Sequence, residues 1–395
     1  MTRFTLGVAS TFPPRQDGIA TFTRDLLAAV AAADAGITAR VAAITDPTAD
    51  YAYPAVVQWQ IAQDDKESYT RAARALARAR VDVVSLQHEF GLWGAPGYLA
   101  EPFDRYDCAP AFLAALDKPV VTTLHTAPPL PRPDIRDAIV HLATHSVAVV
   151  VMARSGARIL VDDYGVDPER ITIIPHGVPV VPPHDTVQVK RALCLDGHTI
   201  LSTVGLIATY KGIETVIRAL PQVVGRHPDV LYLVVGATHP QVQKREGQAY
   251  REELAALVGE LGLRPYVRFI NQYLDQQVLL QYLQATDIYI TPYRDRTQVT
   301  SGTLSYALGC GRAIISTPYV YAAEALAEGR GLLAEFDDPA SIAHCITLYM
   351  ADPGYRRATQ ERALAYAQGM AWPRVGERYA ALFRQVAADG TGARH

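Results

Sequence analysis

The chain has 395 residues, more than a single core usually holds, so two domains are expected. Hydrophobic residues make up 49% and charged residues 19%, as in an ordinary globular protein, and a net charge of −3 argues against a nucleic-acid binder. The longest apolar run, VAVVVMA at Val147–Ala153, is far too short to span a bilayer, although a folded apolar or basic patch for peripheral membrane contact stays compatible with the sequence.

The opening MTRFTLGVASTFPP has neither the apolar region nor the cleavage site of a signal peptide, which suits a cytoplasmic protein. Cys108, Cys194, Cys310 and Cys345 are far apart and form no CxxC pair, so they read as buried reduced thiols. No His/Asp/Glu cluster has ligand spacing, and no metal is expected.

In chain order, the strand FTLGVAS is followed by a helix over Ile19–Ala33 and the strand ARVAAI. Helix YTRAARALARA precedes strand VDVVSLQ, and KPVVTTLH, SVAVVVMA and RITIIPHGV complete a first set near residue 178. The proline-rich PVVPPHD (Pro179–Asp185) breaks the pattern and reads as a linker. A second set follows, with strands TILSTVG, VLYLVVGA, YVRFIN, TDIYITPY, RAIIST and RGLLAEF, separated by helices such as GIETVIRALPQVV and REELAALVGEL. Three stretches of helical period close the chain. Buried strands alternating with helices predict an α/β protein of two doubly wound parallel-sheet domains, with ligands at the carboxyl ends of the strands in an interdomain cleft. The boundaries expected are 1–182 and 186–370, with a final helix over 372–390 packing back on the first domain.

Polar residues collect at several strand ends. STFPPRQDGIATFTRDL opens a helix after strand one, where Gly18 permits close backbone approach or a positive φ; an ordinary turn is the plain alternative. The loop is not GxGxxG, which disfavours a dinucleotide site. SLQHEFGLWG places His88 and Glu89 past a buried strand, and TTLHTAPPLP does the same for His125. Histidines at two successive strand ends favour function over a structural role. In the second domain Lys211-Gly212 precedes a helix, making a cationic pocket suited to phosphate, unless Lys211 is a solvated surface lysine. His239, in VVGATHPQ, is expected to face the cleft. Thr300, Ser301, Gly302 and Thr303 begin another helix, as an N-cap or as an anion site. The convergence of three such loops favours phosphate.

The order of the N-terminal glycine loop, IPHGV, VG…KG, ATDIYITPY and ALGCGRAIIST resembles the nucleotide-sugar glycosyltransferases of GT-B architecture, group 1 or family four, relatives of glycogen and sucrose synthases. WPRVGERYAALF is similar to the family's closing helix. The resemblance implies that Lys211 binds the donor diphosphate, that Gly18 lies by the donor phosphates, and that His125 or His88 touches the transferred sugar or acceptor. It implies no cofactor beyond a nucleotide-sugar donor such as GDP-mannose or UDP-glucose, and a carbohydrate or lipid-linked acceptor. Two departures stand out. The family's arginine five positions before the lysine is Leu206 here, and its glutamate pair eight apart falls on Gln298 and Tyr306. Gln298 is expected to hydrogen-bond sugar hydroxyls without bringing a charge, and Tyr306 to stack on or bond to the nucleoside.

The resemblance thus implies a retaining, metal-independent hexosyltransferase, mannose or glucose being candidate sugars. In it Lys211 and the Ser301–Thr303 amides stabilise the leaving diphosphate. Arg294 or Arg296 is expected to make up for the missing arginine, and Glu89 and Glu324 are the carboxylates to test. A sugar phosphorylase on the same fold and a catalytically decayed nucleotide-sugar-binding protein are the alternatives. The sequence makes no choice of oligomeric state.

Overall fold

The computed structural model describes residues 4–94, 107–182 and 185–392. Packing divides the chain into two units, Met1–Gly177 with Met370–His395, and Val178–Gly369.

The first unit runs β1 (Phe4–Ser10), α1 (Gly18–Ala33), β2 (Ile37–Thr45), β3 (Val57–Ala62), α2 (Lys66–Arg78), β4 (Val83–His88), α3 (Ala109–Ala114), β5 (Val120–Leu124), α4 (Pro133–Thr144), β6 (Ala148–Val151), α5 (Arg154–Asp162) and β7 (Ile171–Ile173). Its seven strands are all parallel, in the order β3-β2-β1-β4-β5-β6-β7. The order reverses between β1 and β4, so the loops after these two strands flank the place where open α/β sheets bind ligands. β3 is not among the strands read from the sequence. Its VQWQIA interleaves polar and apolar residues because it is an edge strand, exposed on alternate positions.

The second unit contains α6 (Thr186–Ala192), β8 (Thr199–Val204), α7 (Ile213–Val224), β9 (Val230–Val235), α8 (Pro240–Glu246), α9 (Ala249–Glu260), β10 (Val267–Ile270), α10 (Gln276–Ala285), β11 (Ile288–Thr291), α11 (Gly302–Gly309), β12 (Ala313–Ser316), α12 (Val320–Ala325), β13 (Leu332–Leu333), α13 (Pro339–Ala351) and α14 (Pro353–Ala367). Six parallel strands lie in the order β10-β9-β8-β11-β12-β13, with the reversal between β8 and β11. Strands β8, β9, β11 and β12 are almost entirely buried, which matches their near-continuous apolar sequences.

The last helix, α15 (Trp372–Gly392), belongs to the first unit and packs along α1. Trp372, Val375, Tyr379 and Phe383 join Phe22, Leu26 and Val30 in one apolar cluster. Tyr379 meets Thr123 through their hydroxyls (3.1 Å), and Arg384 pairs with Asp34 (2.9 Å). Among the described residues no helix is long and apolar enough to cross a membrane. All four cysteines are free; Cys194 is exposed, not buried as expected, because it lies in a left-handed turn after α6.

Candidate functional site

In the first unit the loop after β1 is built around a buried arginine. Arg15 Nη1 donates to Ile44 O (3.0 Å), Nη2 donates to Gln63 Oε1 (2.9 Å), and Nε pairs with Asp17 Oδ2 (3.0 Å). Gln63 passes the tie on by donating to Gly91 O and Gly94 O (2.7 and 2.9 Å). One side chain thus joins the ends of β1 and β2 and, through Gln63, the loop after β4. Asp17 then caps α1, accepting from the Ala20 N–H (2.7 Å).

Gly18 departs from expectation. It is the first residue of α1, its φ lies outside the left-handed region, and a Cβ there would meet nothing within 4 Å. The Asp17 cap shapes this turn, so neither a positive φ nor a close chain approach explains the glycine.

His88, Glu89 and His125 do come together, because β4 and β5 are neighbours and the His125 N–H donates to His88 O (3.0 Å). Gln87 fixes the state of His125. The Gln87 amide nitrogen donates to Ser85 Oγ (3.0 Å) and Thr123 Oγ1 (3.4 Å), which turns its oxygen toward His125. His125 Nε2, 2.9 Å from that oxygen, therefore carries the proton, and the lone pair is on Nδ1. Burial pulls the His125 pKa down to about 3, with the nearby His176 and His88 adding to the effect, so the ring is neutral at physiological pH. Phe22 stands edge-on to both His125 and His176 (4.9 and 5.2 Å between centroids).

Glu89 is half-buried, and burial of its carboxyl pushes the pKa up to about 7 against the pull of the Thr126 hydroxyl, which donates to Oε2 (2.7 Å). His88 is fully buried, with Nε2 3.3 Å from Asp107 Oδ2 and its ring stacked over Trp93. Its Nδ1 has no partner among the described residues.

In the second unit Gly212 has φ +62° at the entry to α7, and a Cβ there would overlap the Pro292 carbonyl. Only glycine fits, and the turn it makes sends Lys211 inward. Lys211 is 8% exposed, which excludes the surface-lysine alternative. Its Nζ donates to Tyr293 Oη (2.6 Å) and lies over the rings of Tyr293 and Tyr210 (3.9 and 5.1 Å). Burial works against its charge, yet the Tyr210 and Tyr293 oxygens outweigh that and hold its pKa above the usual lysine value. The Tyr293 hydroxyl also reaches Thr303 Oγ1 (3.2 Å). His239 is half-buried, and burial together with the Lys211 charge holds its pKa below the usual histidine value.

At the start of α11 the N-cap reading of the sequence applies. Ser301 is the N-cap, its Oγ accepting from the Leu304 N–H (3.4 Å). The cap uses that one amide, and Gly302 and Thr303, the first two helical residues, have no intrahelical acceptor for theirs. The amide nitrogen of Gln298 donates to Thr300 O (2.8 Å), closing the loop ahead of the helix. Tyr306 is buried, and its hydroxyl accepts from Gln276 Nε2 (2.9 Å).

The two arginines expected to make up for Leu206 have partners of their own. Arg294 pairs with Glu214 (2.8 Å) and Asp337 (2.6 Å), so two carboxylates already balance its charge. Arg296 lies 3.9 Å over the Phe336 ring at an exposed position. Glu324 stands on α12, where its main-chain oxygen accepts from Arg330 Nη2 (2.9 Å). Among the described residues no group of three or more His, Cys, Asp or Glu is arranged to hold a metal.

Sequence reasoning passed over Tyr293, Gln87, Thr126 and Arg15. Tyr293 ends an apolar strand and reads as core; the proximity of TPY to a strand end was the available signal.

Comparison with known proteins bears on both units. Residues 198–352 match the model of the glycosyl transferases group 1, and residues 16–181 match that of glycosyltransferase family 4. The D-inositol 3-phosphate glycosyltransferase of Acidothermus cellulolyticus is 28% identical over 59% of this chain and 52% of its own, so the chain spans about half the length of that relative. The GDP-mannose-dependent monoacylated alpha-(1-6)-phosphatidylinositol monomannoside mannosyltransferase of Corynebacterium glutamicum is 24% identical over 95% of this chain and 97% of its own. Among solved structures, the sucrose-phosphate synthase of Thermosynechococcus elongatus superposes with a TM-score of 0.78 at 20% identity, covering 98% of this chain and 100% of that one. Anabaena HepE in complex with UDP and glucose gives 0.72 at 15% identity, over 96% and 99%.

Proposed function

Since the chain belongs to the group 1 glycosyltransferases of GT-B fold, we propose that it moves a hexose from a nucleotide-diphosphate sugar to a hydroxyl of a carbohydrate or lipid-linked acceptor. One observation carries this reading. At the strand-order reversal of the second unit, the buried Lys211 ammonium lies one tyrosine away from the open first turn of α11. A cation and unpaired amides at that position suit a diphosphate. The GDP-mannose dependence of the Corynebacterium relative and the UDP and glucose in the Anabaena complex support a nucleotide sugar as donor.

In this reading Lys211, the Gly302 and Thr303 amides and the Thr303 hydroxyl offset the charge that builds on the departing diphosphate while the sugar becomes oxocarbenium-like. Gln298 and Tyr306 are assigned to the sugar and the nucleoside, and His239 to the edge of the same pocket. The departing phosphate oxygen takes the acceptor proton on the face it leaves, which retains the anomeric configuration and requires no metal. In the first unit, the Nδ1 lone pair of His125 accepts a hydrogen bond from a substrate hydroxyl, and the Glu89 carboxyl is a further hydrogen-bonding partner beside it. In the same unit, open space lies beside Gly18 at the start of α1.

The test begins with thermal shifts of the full chain in UDP, GDP and their glucose and mannose sugars, since a ligand of the folded state raises Tm. Release of nucleoside diphosphate that persists in EDTA, with the product anomer assigned by NMR, then establishes transfer. Binding without turnover would reduce the protein to a donor-binding module, and no shift with any of these compounds would refute the reading.

A further inference from the structure

The loops after β8 and β11 carry Lys211 and Tyr293 to the same point, the reversal of strand order in the second unit. An ammonium has three donors and no acceptor, so in the 2.6 Å contact it is the Tyr293 oxygen that accepts. The proton of Tyr293 itself must go elsewhere, and Thr303 Oγ1 lies 3.2 Å away. Once that oxygen accepts, the Thr303 proton is directed onward, on the first turn of α11 beside the amides of Gly302 and Thr303. With Tyr293 donating to Thr303, the hydrogen bonds run in one direction, from Lys211 through Tyr293 to Thr303.

Tyr293 is held firmly enough to set that direction. It is fully buried, stacks on Tyr319 (5.2 Å between centroids, 14° between planes), and its carbonyl accepts from the Thr317 hydroxyl (2.5 Å). Burial alone would raise its pKa, but the adjacent Lys211 charge and hydrogen bonding with Lys211, Thr303 and Ser301 outweigh burial and leave the phenol more acidic than an ordinary tyrosine.

We propose that Tyr293 is a positioning residue of the anion site, fixing the Lys211 ammonium and turning the Thr303 hydroxyl into a donor toward a nucleoside diphosphate. This rests on the donor reading above. A phenylalanine at 293 keeps the ring, the stack and the cation–π contact but removes the oxygen that links the two partners.

Calorimetric titration of the full chain with UDP and GDP, and with uridine and guanosine as phosphate-free controls, tests it. Tyr293→Phe should weaken the diphosphates by about ten-fold, the loss of one charge-assisted hydrogen bond, and leave the nucleosides unchanged. Lys211→Met should cost at least as much, and the double variant less than the sum of the two single losses, because Tyr293 acts in part through Lys211. Thr303→Val, which touches only the end of the chain of bonds, should give a similar selective loss and serves if Tyr293→Phe does not fold. Unchanged diphosphate binding, equal losses for nucleosides, or additive losses in the double variant would each overturn the role of Tyr293 while leaving the donor reading intact. A parent chain that binds neither UDP nor GDP overturns both.

Discussion

The Trp372 ring fills the space that a side chain at Gly177 would need: a Cβ built on Gly177 overlaps the indole. The glycine of the IPHGV motif therefore serves packing of α15, and its neighbour His176 is buried between Phe22 and Trp372. Gly177→Ala should destabilise the first unit by about 1–3 kcal/mol through overpacking, read from the urea midpoint. Nucleoside-diphosphate affinity, a property of the second unit in our reading, should stay as it was. A stability change within 0.5 kcal/mol, roughly the scatter of surface substitutions, would show that the ring swings aside without cost.

Gln87 should control His125 chemically as well as sterically. Nitrogen NMR of the labelled parent is expected to show His125 as the neutral tautomer with the proton on Nε2, at pH 7 and still at pH 5. Gln87→Leu removes the acceptor and should mix the two tautomers. We predict a fall in kcat of about ten-fold or more with little change in donor affinity. A single unchanged tautomer in the variant would mean that another group fixes the ring.

Glu89 should leave a signature in stability against pH. Its folded pKa of about 7 exceeds the ordinary glutamate value of 4.5, so between these limits the folded state holds a proton that the unfolded state has lost. Stability from this group is complete below pH 4.5 and declines as pH rises toward 7. Glu89→Gln abolishes the decline, so the stability of the variant relative to the parent should climb by at most about 1.4 kcal/mol per pH unit across that window. His125 and His176 act in the opposite sense. Their folded pKa values, about 3 and 4, lie below 6.5, so their contribution is present above pH 6.5 and lost as acid is added. A flat difference curve for Glu89→Gln would remove the case for Glu89 as a group poised near neutrality.

Lys211 and Arg294 should behave differently although both follow strand ends of the second unit. Arg294 is bound to Glu214 and Asp337 and is about half exposed, so Arg294→Ala should change UDP or GDP affinity by less than about two-fold and stability by about 1 kcal/mol or less. Lys211→Met should weaken the same ligands by about ten-fold or more. Equal losses in the two variants would place Arg294 back in the donor site.

Much of this was legible in the sequence because parallel strands buried on both faces are continuous apolar runs, and the residues just past them fall at one edge of the sheet. That logic brought Lys211, Ser301 and Thr303 to one place, and His88 and His125 to another. It missed β3, whose edge position permits polar residues along VQWQIA. It gave no sign of the partners of Arg294 because the carboxylates that engage it, Glu214 and Asp337, belong to other segments that only folding brings near. Tyr293 escaped notice for a related reason: a buried tyrosine at a strand end looks like core until its hydroxyl is seen against a lysine.

The return of α15 to the first unit has a consequence for synthesis. Residues Val178–Gly369 are contiguous and lie wholly between the two segments of the other unit. The second unit can therefore close on the ribosome while the first still lacks the helix that covers Phe22 and His176. We predict that the usual amino-terminal-first order of folding is reversed here. Pulse proteolysis of a released chain truncated after residue 369 should find residues 178–369 resistant and the half that is made first still open to cleavage.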